Sequence, residues 1–98
     1  MIVFWSDKAK ARLREIHDHI ETDSPLRAKQ VVDRLTRRSE ELASRPLADR
    51  SVPEYKHEGL REVLERPFRI IFLLGSDRVD IITIKHYRQR LPKKLMDL

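Results

Sequence analysis

The sequence predicts a two-layer α+β domain of order β-α-α-β-β-β, an antiparallel α-hairpin packed on a small, mainly antiparallel four-stranded sheet. Three observations predict it. Apolar residues recur at helical spacing through the first half, the pattern turns to strand-like alternation and runs in the second, and a glycine-containing turn divides the last two runs. A helical hairpin that is apolar along one side needs a sheet to bury that side.

Residues 2–5 (Ile-Val-Phe-Trp) form a short β-prone run. Ser6 follows where a helix N-cap belongs, with Asp7 in the first turn, where a negative charge meets the helix dipole favourably. Ala9, Leu13, Ile16 and Ile20 then draw one apolar stripe on a helix ending near Glu21, with Arg14–Asp18 expected as an i,i+4 pair on the wet side. Thr22-Asp23-Ser24-Pro25 is a second start signal, since proline in the first turn lacks only an N–H that had no partner anyway. Ala28, Val31, Val32, Leu35 and Leu42 carry the second helix to about Ala43, with Lys29–Asp33 and Arg37–Glu41 facing water. So short a link makes the two helices antiparallel neighbours. Arg45-Pro46 is expected to stop the second, because the residue before proline avoids the helical region.

Leu60 to Arg66 alternates as a half-buried strand, and Phe68 to Leu74 is apolar at nearly every position except Arg69, as in a central strand covered on both faces. Gly75-Ser76-Asp77 supplies hairpin turn chemistry. Val79 to about Tyr87 returns as the last strand, and Leu91 to Leu98 reads as a frayed turn or short helix. No repeat, low-complexity stretch or linker interrupts residues 1–98, so one domain is expected.

The chain of 98 residues can bury one modest core. Charged residues make up 38% and apolar ones 40%, which suits a small soluble protein. No apolar run approaches the roughly 20 residues of a bilayer span. The apolar start is too short and too soon charged for a signal peptide. With no cysteine, disulfides and thiolate metal sites are excluded, and a cytoplasmic location fits. The net charge of +5 is uneven: residues 1–49 contribute +1 and residues 50–98 contribute +4. Lys85, Arg88, Arg90, Lys93 and Lys94 lie in a stretch with no acid. Such a field favours an anionic partner, nucleic acid or an acidic polypeptide, although a merely solubilising face has the same composition.

If the last hairpin turns around Ser76, paired residue numbers sum to about 153, and Arg69 faces position 84. Arg69, His86 and Tyr87 then converge at the open end beside the basic run. Arginine there would neutralise charge on a phosphate, and histidine, titrating near neutrality, would move a proton. An arginine at a strand start that only pairs with a carboxylate, and a histidine that only caps or packs, fit the same positions; both readings stay open. Arg61 and Glu62 fall opposite Phe72 and Ile71, nearer the other end, where a local ion pair is the simpler role. Glu54 sits in a segment the pattern does not orient, as a base or a surface acid. His17, His19 and His57 lack ligand spacing, with His17 and His19 diverging by about 200° on a helix, so no metal site is expected. With Gly59 and Gly75 as the only glycines, there is no phosphate-cradling loop either, and no cofactor is expected. Trp5 reads as an edge-strand residue under the helices.

In chain order, Val3-x-Trp5-Ser6-x-x-Ala9, Arg50-x-Val52-Pro53-Glu54, Gly59-Leu60-Arg61-Glu62-Val63, Phe68-Arg69-Ile70-Ile71-Phe72, Val79-Asp80-Ile81-Ile82 and His86-x-Arg88 resemble the RelE/ParE superfamily of type II toxin–antitoxin toxins over nearly the whole chain. The resemblance implies a small curved sheet with an α-hairpin against it. It also implies a growth-inhibiting toxin silenced by a cognate antitoxin, acidic and encoded adjacently, that binds by a helix in a groove or by strand addition. Relatives like RelE and YoeB are ribosome-dependent mRNA endonucleases. By that likeness Arg69 matches the family arginine, His86-Tyr87 resembles the YoeB-like His-Tyr, and Pro53-Glu54 resembles the segment supplying a glutamate. Relatives like ParE instead stall DNA gyrase on cleaved DNA and have no catalytic constellation. They often end in His-Gly-x-Arg, where this chain has Tyr87 for the glycine. The Val52-Pro53-Glu54, Arg61-Glu62-Val63 and Arg69-Ile70-Ile71 blocks are as typical of them, and Lys56 stands alone where RelE-like enzymes use a lysine cluster. The expectation is a ParE-like gyrase poison, with Lys85, Arg88, Arg90, Lys93 and Lys94 meeting target or nucleic acid. The alternative is an mRNA endoribonuclease using Arg69, His86, Tyr87 and Glu54; more remote is a basic nucleic-acid-binding module, which lacks an aromatic platform beyond Tyr87.

Overall fold

Both helices begin where a serine hydroxyl meets the first free amides. In the computed structural model, which describes residues 1–44 and 50–98, Ser6 Oγ accepts from Ala9 N at 3.0 Å and Ser24 Oγ from Arg27 N at 3.1 Å. The helices are α1 (Asp7–Glu21) and α2 (Pro25–Glu41). The stop expected at Arg45-Pro46 lies outside the described residues. Ser6 Oγ also donates to Ile82 O at 2.8 Å, tying the start of α1 to the sheet. On the wet faces, the ion pairs among the described residues include Arg12–Glu15 and Arg38–Glu41 at i,i+3 and His17–Glu21 at i,i+4. They replace the expected Arg14–Asp18, Lys29–Asp33 and Arg37–Glu41, a small difference because exposed pairs contribute little and rearrange easily.

The strands are β1 (Ile2–Trp5), β2 (Arg50–Ser51), β3 (Leu60–Glu65), β4 (Phe68–Leu74) and β5 (Arg78–His86), in spatial order β1-β5-β4-β3-β2. Among the described residues there are five strands rather than the expected four. The extra one, β2, pairs antiparallel with β3 through Arg50↔Glu62 and Ser51↔Arg61, and two residues are too few to show a period. The edge strand β1 runs parallel to β5, while β3, β4 and β5 form an antiparallel meander.

Two apolar cores flank the sheet. Towards the helices, Ala9, Ile16, Val31, Leu35 and Leu42 meet Ile70, Phe72, Ile81 and Ile84, with Trp5 packed at the margin as expected. The other face is covered by the chain's own end: Leu91 and Leu98 bury against Val52, Leu60 and Ile71. The C-terminal segment holds the expected short helix as a 3₁₀ turn at Leu95–Asp97, but it is a packed strap and not frayed. Tyr55 anchors it by donating its hydroxyl to Pro92 O at 2.5 Å. Covered on both faces, β4 is buried from Phe68 to Phe72.

The β3–β4 register is set by the turn at Arg66-Pro67, a cis peptide, and pairs Glu62↔Ile71 and Arg61↔Phe72 as the sequence predicts. Next to the Gly75 turn, Leu74↔Val79, Leu73↔Asp80 and Phe72↔Ile81 also follow the expected register. A bulge then intervenes, and the pairing shifts to Ile71↔Thr83, leaving Ile82 as the extra residue. Arg69 consequently faces Lys85 rather than position 84, and Phe68 faces His86.

Candidate functional site

One extra residue in β5 decides what can meet at the open end of the sheet. Directly paired residues share a face, and each one-residue slip moves a side chain to the opposite face. Ile81 and Ile84 both point to the helices, with Ile82 on the other side. His86 follows Ile84 to the helix side, and Arg69 follows Ile71 to the strap side. The two occupy the same end of the sheet on opposite faces.

Arg69 is 5% exposed, so its guanidinium needs partners inside the protein. It has two carboxylates. Glu54 grips it as a fork, with Nη1 donating to Oε2 and Nη2 to Oε1, each at 2.8 Å. Glu62, fully buried, accepts from Arg69 Nε at 2.7 Å, and its other oxygen accepts from Arg50 Nε at 2.6 Å. Glu62 thus belongs to this site. Its signal was in the β3–β4 register, since it lies diagonally across from Arg69, within reach of two long side chains. Arg50, Glu62, Arg69 and Glu54 form, in that order, a linked quartet of two positive and two negative groups. The hydrogen bonds from Arg69 hold the Glu54 carboxyl below its ordinary value despite partial burial. Glu54 in turn makes Arg69 still harder to deprotonate, outweighing burial, with Glu62 adding to the effect.

The quartet lies along a cleft of about 330 Å³ that Pro53, Leu64, Arg66 and Tyr87 also line. Glu54, Arg69 and Tyr87 are therefore brought together. His86 lines a different hollow of about 340 Å³, with Arg12, Glu15, Ile16, His19, Ile20 and Phe68. Its ring meets Phe68 edge-on at 6.0 Å and stacks on Tyr87 at 5.0 Å between centroids. His86 Nδ1 accepts from Arg88 N at 3.2 Å, which places the proton of the neutral ring on Nε2. Chemically, the Arg69 cleft is an internally neutralised ionic network, and the His86 hollow is an apolar pocket with a basic rim.

The basic run is not uniformly exposed. Lys85 is half-buried on β5, and burial together with the charges of Arg12 and Lys8 lowers its pKa. The Arg88 guanidinium lies 5.3 Å from the Tyr87 ring centroid. Arg90, Lys93 and Lys94 are exposed. Among the described residues, the ligand atoms of His17, Asp18 and Glu21 come within 4.8 Å of one another, so His17 does have an i,i+4 carboxylate that the sequence reading passed over. Its two ring nitrogens face different acids, Asp18 at 3.1 Å and Glu21 at 3.6 Å, the geometry of an exposed ion-pair group. Among the described residues, no helix is long and apolar enough to cross a membrane.

An α-hairpin on a mixed sheet of order β1-β5-β4-β3-β2 is a fold this chain shares with solved toxin–antitoxin structures. The family model for the ParE toxin of the type II toxin–antitoxin system parDE matches residues 3–91, and the chain belongs to that family. The chromosomal ParDE toxin–antitoxin system from P. aeruginosa is similar in structure at a TM-score of 0.73, with 27% identity over 88% of this chain and 95% of that one. The toxin–antitoxin complex RelBE2 from Mycobacterium tuberculosis shares the fold at a TM-score of 0.65, with 14% identity over 87% and 95%. Among curated proteins, no relative matches.

Proposed function

We propose that this chain is the toxin of a type II module that poisons DNA gyrase without chemistry of its own and is silenced by a cognate acidic antitoxin. The observation that carries this reading is the occupied state of Arg69. A phosphoryl-transfer site needs its cation free to meet charge developing in the transition state. Here Glu54 and Glu62 use the guanidinium's donors, and His86 is on the other face of the sheet. Membership in the ParE family and likeness to a ParDE system support the same reading. A toxin of this kind acts inside the cell, through contacts in which Arg88, Arg90, Lys93 and Lys94 present exposed charge.

Purified protein is expected to inhibit gyrase supercoiling and to trap cleaved plasmid. Full supercoiling at saturating protein would rule the reading out. The ribosome-dependent mRNA endonuclease remains the second reading, favoured by one observation: Glu54, Arg69 and Tyr87 line one cleft. On that reading, transcripts are cut on the ribosome, and a folded Arg69→Ala or His86→Ala protein loses the cutting. If both variants keep full toxicity, this second reading fails.

A further inference from the structure

β1 is an edge strand that carries none of the devices that ordinarily keep sheet edges apart. It stands at the end of the sheet, with β5 as its neighbour among the described residues. Ile2 N donates to Asp77 O at 3.2 Å and Ser6 N to Ile81 O at 3.0 Å. Backbone groups alternate along a strand, so the N–H and C=O of Val3 and Trp5 point away from β5, along the open edge. Such edges are usually guarded by a charge, a proline, a bulge or great shortness. The opposite edge strand, β2, is two residues long and carries Arg50. Ile2-Val3-Phe4-Trp5 has neither charge nor proline, and it pairs with β5 without a break in register.

The side chains beside that edge are bare as well. Val3 and Trp5 pack toward the helices, so Ile2 and Phe4 turn to the strap side. There the strap packs over Val52, Leu60 and Ile71, and it leaves Ile2 61% and Phe4 43% exposed. The Arg78 guanidinium lies 4.3 Å from the Phe4 ring centroid and is already paired with Asp80. The patch is therefore apolar and locally neutral, on a chain whose net charge of +5 opposes self-association elsewhere.

We infer that this edge joins two copies of the chain, β1 to β1 and antiparallel, about a two-fold axis through Phe4. Centring the axis there places Val3 opposite Trp5 in both halves, so every outward N–H and C=O of the two strands gains a partner. Phe4 then faces Phe4 as a non-hydrogen-bonded pair, the closer kind, and the two sheets become continuous. A second copy is favoured over nucleic acid because the patch offers phosphate no unmatched cation. The inference goes beyond the gyrase reading, since it concerns how free copies associate and not the target.

The test is sedimentation velocity on the full chain purified without any other protein. A dimer is expected at about 100 μM, well above a micromolar dissociation constant. Phe4→Lys should raise that constant about tenfold or more, because two ammonium groups replace two packed rings, while its melting curve stays that of a folded protein. Leu26→Lys, on an exposed leucine of α2, should leave the dimer intact. The chain has no cysteine, so single cysteines read the register directly. Phe4→Cys should form a disulfide-linked dimer on oxidation, its Cα atoms lying about 4.5 Å apart. Ile2→Cys should not, since its two copies are offset by four residues, about 13 Å. A parent that sediments as a monomer overturns the inference. So does a dimer that survives Phe4→Lys, or equal cross-linking of the two cysteine variants. A supercoiling assay on the parent reads the target separately, so the two proposals fail independently.

Discussion

Glu62 has no exposure to water, and its two oxygens are shared between Arg69 and Arg50. Glu62→Ala would leave the buried Arg69 guanidinium with Glu54 as its one carboxylate and is expected to lower the unfolding free energy by about 3–5 kcal/mol. Measured by urea denaturation, the apolar pair Glu62→Leu with Arg69→Met should recover most of that loss, because no buried charge remains. Glu54 behaves differently, being half in water. Its carboxyl titrates below the ordinary 4.5 because Arg69 stabilises the charged form, so its contribution is full above that pH and fades as pH falls through the lowered folded value. Acid denaturation of Glu54→Gln should accordingly show a shallower decline below pH 4.5 than the parent, and equal slopes would refute the coupling. Thr83 offers the reverse test. Its hydroxyl is buried with no partner among the described residues, so Thr83→Val should raise stability by about 1 kcal/mol in the same urea experiment.

At the scale of elements, the strap that closes the sheet's second face makes the most direct prediction. Leu98 is 3% exposed and packs with Leu91, Val52, Leu60 and Ile71. A chain ending at Lys94 should lose about 2–3 kcal/mol, the value of one buried leucine, and unchanged stability would mean that the strap does not pack. Composition alone did not reveal this role, because leucines spaced around one proline and two lysines mark no helix or strand. Both helices were legible for the opposite reason. Ser6, Ser24 and Pro25 act on amides within one turn, so their meaning is local. The β3–β4 register was legible because a tight turn at Arg66-Pro67 fixes every pair after it. β5 was legible only up to Ile81. In Ile81-Ile82-Thr83-Ile84, no polar alternation marks which residue the bulge will push out, and that residue sends His86 to the helix side. The ionic quartet was out of reach for a related reason: it gathers positions 50, 54, 62 and 69, and only the path of the chain between β2 and β3 brings Glu54 over Arg69.

Across the whole molecule, charge is divided between groups the fold uses and groups it leaves for others. Arg50 and Arg69 are matched by Glu54 and Glu62 on the strap side, so the outward positive field comes from exposed positions such as Arg90, Lys93 and Lys94. If the protein acts by contact, as proposed, the two sets should separate in experiment. Arg69→Ala removes an internal partner. Its effect on growth inhibition should follow the fraction of folded protein, measured by thermal melting of the variant and by growth of cells expressing it. Lys93→Glu combined with Lys94→Glu touches no buried group and should change stability by no more than about 0.5 kcal/mol per substitution. It should nonetheless reduce growth inhibition, because a reversed rim charge mainly slows association with the partner. An Arg69→Ala chain that melts well above the growth temperature yet has lost all toxicity would break this division. It would place the working chemistry in the Glu54–Arg69–Tyr87 cleft, where a guanidinium released from Glu54 would be free to meet a phosphate.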